Sequence, residues 1–121
     1  MKTLRVGIAS YEEMKARTIA IARGEYTPKK DEPKIWFTSA ESFAKVLSDK
    51  NRALLDLIAE SEPSSLAELV EKTGRQKSNL SRTLKTMEQY GLVTLKKAEK
   101  GRVVPRVSYN SISLMVPIHS H

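Results

Sequence analysis

Apolar and polar positions alternate at the start of the chain, with Leu4, Val6 and Ile8 on one side and Thr3, Arg5 and Gly7 on the other. That period of two predicts a half-buried strand over residues 2–9. Ser10 then reads as an N-cap, with Glu12 and Glu13 in the first turn, where the helix dipole favours acid. A helix follows over 11–23, with Tyr11, Met14, Thr18, Ile21 and Ala22 on its expected apolar face and Gly24 ending it. Residues 26–34 are polar and hold two prolines, the composition of a linker. After it, Ile35, Trp36 and Phe37 form a short aromatic cluster, read as core residues or, more sharply, as a dimer contact.

The helical period then takes over. Ser39 with Ser42 suits the cap of a helix carrying Phe43, Val46 and Leu47, and Asp49 and Asn51 mark a break. Leu54, Leu55, Leu57 and Ile58 resume the pattern over 52–60. Glu62 to Ser65 is a turn and cap, with Glu68 in the capping-box position after Ser65. Leu66, Leu69 and Val70 define a helix over 66–73, closed by Gly74, and Leu80, Leu84 and Met87 stripe a second over 77–90, with Gly91 just beyond. Residues 92–97 and 102–107 read as two strands joined by the four-residue loop 98–101. Pro105 inside the second makes it an edge. Residues 109–116 are apolar enough for a last strand or helix, and 117–121 are a loose end.

Charge changes this picture most. The net +7 comes from 21 basic and 14 acidic residues. Between positions 75 and 106 stand Arg75, Lys77, Arg82, Lys85, Lys96, Lys97, Lys100, Arg102 and Arg106 against Glu88 and Glu99 alone, so this stretch carries the whole excess. A cationic excess confined to one helix and the hairpin after it points to a polyanion, duplex DNA first. No cysteine is present to form disulfides or thiolate sites. No apolar run approaches the ~20 residues of a membrane span, and the start lacks a signal peptide's apolar block, so a soluble, cytoplasmic protein is expected.

Two helices joined at Gly74 predict a helix-turn-helix. If Leu66, Leu69 and Val70 pack on Leu80, Leu84 and Met87, with Leu54, Leu55 and Ile58 as a third wall, the opposite face of the second helix presents Gln76, Lys77, Asn79, Arg82, Thr83, Lys85 and Thr86. Arg and Lys suit guanine edges, and Asn and Gln suit adenine. Ser78 and Ser81 suit close phosphate or base contact near the helix start, and Ser64 and Ser65 offer the same at the preceding helix. Lys96, Lys97, Lys100 and Arg102 gather at the hairpin tip, within reach of the backbone or minor groove. Blander readings stand beside these. The cations are a solvated face, the domain binds protein instead, or Ser39, Ser64 and Ser65 simply cap helices, which is the favoured reading of the three serines.

The stretch from Ser78 to Val93, SNLSRTLKTMEQYGLV, resembles the recognition helix and following strand of prokaryotic winged-helix regulators of the MarR and ArsR kinds. Residues 52–58, RALLDLI, resemble the helix before that motif, and the likeness extends over about 52–107. The resemblance implies base-edge contacts by Gln76, Lys77, Asn79 and Arg82, and phosphate contacts by Lys97, Lys100 and Arg102. The MarR Asp-x-Arg wing pattern is missing, and so are the cysteine or histidine pairs of metal-sensing ArsR members. The whole layout is similar to small predicted regulators of bacteria and archaea, some thought to act as antitoxins. The expected fold class is therefore mainly α with a small β component. It comprises a strand-helix extension over 1–25, a linker over 26–34, a winged helix-turn-helix over 35–116 and a tail over 117–121. The expected function is sequence-specific binding of double-stranded DNA by a homodimeric regulator, most naturally a repressor. The alternative is an antitoxin whose N-terminal region holds a protein toxin. No catalytic triad, carboxylate pair or phosphate loop suggests an enzyme, no cofactor is implied, and His119 with His121 lacks partners for a metal.

Overall fold

The computed structural model describes residues 2–118, so the expected tail from 119 on, with His119 and His121, lies outside the described residues. The chain is an α/β protein that divides into two units, one made of residues up to Lys45 together with those from Ser111 on, the other of Val46–Asn110. In sequence, the second interrupts the first.

The first unit is built on strand β1 (Thr3–Ile8), helix α1 (Tyr11–Ala22), strand β2 (Ile35–Phe37), helix α2 (Ala40–Val46, whose last residue falls in the second unit) and strand β5 (Ser111–Met115). The three strands form a parallel sheet in the order β2-β1-β5. Val6 pairs with Ile35 on one side and Leu114 on the other. Thr3 Oγ1 and Ser111 Oγ share a hydrogen bond of 2.8 Å across 108 residues of sequence. Leu4, Val6, Ala9, Pro33 and Phe37 are buried, and Phe37 meets Phe43 edge to face at 5.3 Å. Gly7 stands where a β-carbon would come within 2.5 Å of the Trp36 ring, so only glycine lets β2 lie this close with Trp36 folded over it.

Several expectations are corrected here. Residues 26–34 are not a free linker. Glu32 pairs with Arg17 at 2.9 Å, Pro33 is buried, and Lys34 N–H donates to the Arg5 carbonyl. Parallel strands require a crossover of this length, and the segment closes it against α1. Residues 35–45 and 111–115 belong with β1 rather than with the helices that follow, because β1 has edges on both sides and these strands fill them. The β component is therefore larger than anticipated. The expected α1 face holds only at Met14 and Ile21. Tyr11, Thr18 and Ala22 are exposed, whereas Met14, Arg17, Ala20 and Ile21 are the half-buried positions. Ser10 does cap α1, and Glu13 returns the bond to the Ser10 N–H.

The second unit runs helix α3 (Asp49–Ser61), helix α4 (Leu66–Thr73), helix α5 (Lys77–Gln89), strand β3 (Val93–Lys97) and strand β4 (Val103–Val107), with β3 and β4 an antiparallel pair. The break expected near Asp49 is the gap between α2 and α3, and Ser48 caps α3. Gly74 ends α4 at φ +72, a left-handed conformation that lets the chain reverse into α5 within three residues. Leu54, Ile58, Leu69, Leu80, Leu84, Met87, Leu92 and Val93 form the core. Pro105 is buried opposite Leu95 in a two-strand ribbon, where every strand is an edge.

Candidate nucleic-acid interface

Helix α5 has two unlike sides. Leu80, Leu84 and Met87, at i, i+4 and i+7, are essentially inaccessible. Ser78, Asn79, Arg82 and Lys85 are exposed on the rest of its surface, with Gln76 and Lys77 exposed at its N-terminal end. Ser81, Thr83 and Thr86 are half-buried at the margins. No side chain caps α5 at Gln76, so the amide and the helix N-terminus face outward together. After Gly91, β3 and β4 carry the basic tip, where Lys96, Lys97, Lys100 and Arg102 are all exposed. A short 3-10 turn (Glu99–Gly101) closes it, and Lys100 sits there at φ +61.

These cations are electrostatically unspent. Ion pairs among the described residues include Arg17 with Glu32, Lys72 with Glu68, and Arg106 with Glu62, and none of them engages the cations of α5 or the hairpin tip. Lys77, Arg82, Lys85, Lys97, Lys100 and Arg102 therefore present their charge to solvent within one unit. Such a surface offers many donors against two exposed acids, Glu88 and Glu99, neither of them ion-paired with these cations, and is the complement of an anionic, acceptor-rich ligand.

Not every basic residue of the stretch belongs to that surface. Arg106 donates from Nη1 to the Pro63 carbonyl at 2.7 Å and holds Glu62, which occupies a left-handed backbone position. Its role is to tie β4 to the turn before α4. Ser65 proves to be the cap of α4, whereas Ser64 bonds a side chain instead. Ser65 Oγ accepts from Glu68 N–H, and Ser64 donates its hydroxyl to the Glu68 carboxylate. The Glu68 side chain thus bonds Ser64 and lies beside Lys72, in place of the return bond to Ser65 that a capping box requires. Ser64 thus gives its hydroxyl proton to a carboxylate and is not placed as an anion ligand, while the Ser65 oxygen serves the helix start.

Arg75 escaped the sequence reading except as a charge. Its guanidinium lies along α5 and donates from Nε (3.0 Å) and Nη2 (2.7 Å) to Asn79 Oδ1, from Nη2 to Thr83 Oγ1 (3.2 Å), and from Nη1 to Asn51 Oδ1 on α3 (3.4 Å). The spacing Arg75, Asn79, Thr83 at i, i+4 and i+8 was the available signal. The contribution of Asn51, 24 residues away, was not legible from spacing.

One family model, HVO_A0114, matches residues 46–114, more than half of the 121-residue chain. No curated protein and no solved structure matches. No helix among the described residues is long and apolar enough to cross a membrane.

Proposed function

The chain belongs to the HVO_A0114 family, and we propose that it is a winged-helix regulator that binds double-stranded DNA in a sequence-specific way. In this reading α5 enters the major groove and the β3–β4 hairpin is the wing on the flanking backbone. The observation that carries it is helix α5 itself: Arg82 and Lys85 are exposed on the side away from the buried Leu80, Leu84 and Met87, with Asn79 exposed on the flank, Gln76 and Lys77 exposed at the N-terminal end, and no acid paired with any of these cations. A helix of 13 residues is about 20 Å long and meets only a few base pairs, so the functional species is a homodimer on a two-fold site, acting as a repressor. Its dimer contacts fall on the first unit, where Leu114, Met115 and Val116 are 41%, 44% and 53% exposed. The same apolar residues support a second reading, in which that unit also holds a protein partner such as a toxin.

Mobility shifts on duplexes selected from a random pool, compared with their scrambled counterparts, test the proposal. Selected duplexes should bind at least tenfold more tightly than scrambled ones. Equal retention of both reduces the site to unspecific cation binding, and retention of neither refutes it.

A further inference from the structure

The Asn79 amide is already half occupied. A carboxamide oxygen has two lone pairs, and Asn79 Oδ1 already accepts two N–H groups of one guanidinium. Its Nδ2 makes no hydrogen bond among the described residues, and Asn79 is exposed. Arg75 is fixed in turn by Asn51 and Thr83, and Asn51 Nδ2 donates to the Val46 carbonyl at 3.1 Å. Four donor contacts in three directions leave the guanidinium little freedom to release the oxygen.

We infer that Arg75 is a positioning residue which occupies the Asn79 carbonyl and makes Asn79 a donor-only reader, selecting guanine over adenine. This rests on the DNA-binding reading above. Asn recognises adenine by accepting from N6–H2 while donating to N7, which needs its oxygen and nitrogen together. With the oxygen filled, adenine offers Nδ2 a single acceptor beside an opposing donor. Guanine offers two adjacent acceptors, N7 and O6, to the two amide N–H groups. Arg75 touches no base in this arrangement. It acts through the side chain it holds.

The test is selection of duplexes from a random pool by the whole chain and its variants, with thermal melting to confirm that each is folded. The position that Asn79 reads is the one whose preference disappears in Asn79→Ala. Wild type is expected to select G·C there, and 7-deazaguanine at that position should weaken binding roughly five- to twentyfold. Arg75→Lys keeps the charge but loses the fork, frees Oδ1 and should bring A·T up to equal or greater preference. Asn79→Asp keeps shape and the Arg75 contact but removes the outward N–H groups, so the guanine preference should vanish. A purely structural Arg75 would lower affinity for every duplex without changing the preferred base, and that result overturns the inference. So does A·T at this position in wild type, or the absence of any Asn79-dependent position. If wild type enriches no duplex at all, the DNA-binding reading fails, and the inference falls with it.

Discussion

Arg82 and Lys100 differ in what each is able to distinguish. Arg82 projects from the middle of α5, where a guanidinium fork matches the paired acceptors of guanine, whereas Lys100 is a point charge at the hairpin tip. Arg82→Ala should therefore weaken binding to the selected duplex by ~1–3 kcal/mol and relax its sequence preference. Equal losses on selected and scrambled DNA, read by mobility shift, would remove Arg82 from the reading edge. A different residue-scale constraint operates at Gly7, where the Trp36 ring leaves no room for a methyl group. Gly7→Ala should destabilise the first unit by ~1–3 kcal/mol. Trp36 is the single tryptophan of the chain, so its emission during urea unfolding reports that loss directly.

The hairpin shows an element carrying a proposed contact residue at some conformational cost. Lys100 occupies the left-handed region at φ +61, where glycine or asparagine would be less strained, and Gly101 follows at φ +73. A lysine at that point is poor turn chemistry but places an ammonium at the apex of the ribbon. Lys100→Gly should leave the melting temperature unchanged or raise it by a stabilisation of ~0.5–1 kcal/mol. It should also lower DNA affinity by similar factors on every sequence. Loss of stability in step with affinity would mean that Lys100 serves the fold of the turn instead. Helix α5 makes the complementary case, since its apolar stripe and polar face follow one period and neither can shift alone. Leu84→Ala, at a site 1% exposed, should cost ~2–5 kcal/mol and loosen the helix on which every proposed base contact stands.

For the whole molecule, the arrangement of the two units sets what can be perturbed separately. The cations of the proposed surface lie in Val46–Asn110, while β1 depends on β5, which returns after that unit is complete. Ending the chain after Asn110 removes one of the two neighbours of β1. It should expose Trp36 to solvent-like emission and, if the chain is the proposed homodimer, reduce it to monomer by light scattering. Residual binding to half-site duplexes should survive. A truncated chain that remains dimeric would move the proposed self-association out of the first unit. If about six cations of the second unit neutralise phosphates, log affinity should fall against log salt with a slope near −5, at about −0.9 per contact.

Local order governs much of this protein, and there the residues alone suffice. Ser10, Ser39 and Ser65 cap their helices, Gly74 ends α4, Leu80, Leu84 and Met87 go inside, and the basic hairpin closes where expected, over five residues (98–102) rather than four. Each of these depends on neighbours within about four positions, so the periods of helix and strand carry the information. Other features are settled only when distant segments meet. The pairing of β1 with β5 spans more than a hundred residues and has no turn chemistry to announce it, so β5 was legible as an apolar stretch and not as the partner of β1. The 26–34 segment looks like a linker by composition, yet it is held because Arg17 and the strand crossover reach it. Arg75 counts as one more positive charge until α3 and α5 bring Asn51, Asn79 and Thr83 around it. Proximity in space, which no periodicity encodes, converts that charge into control over which atom of Asn79 faces outward.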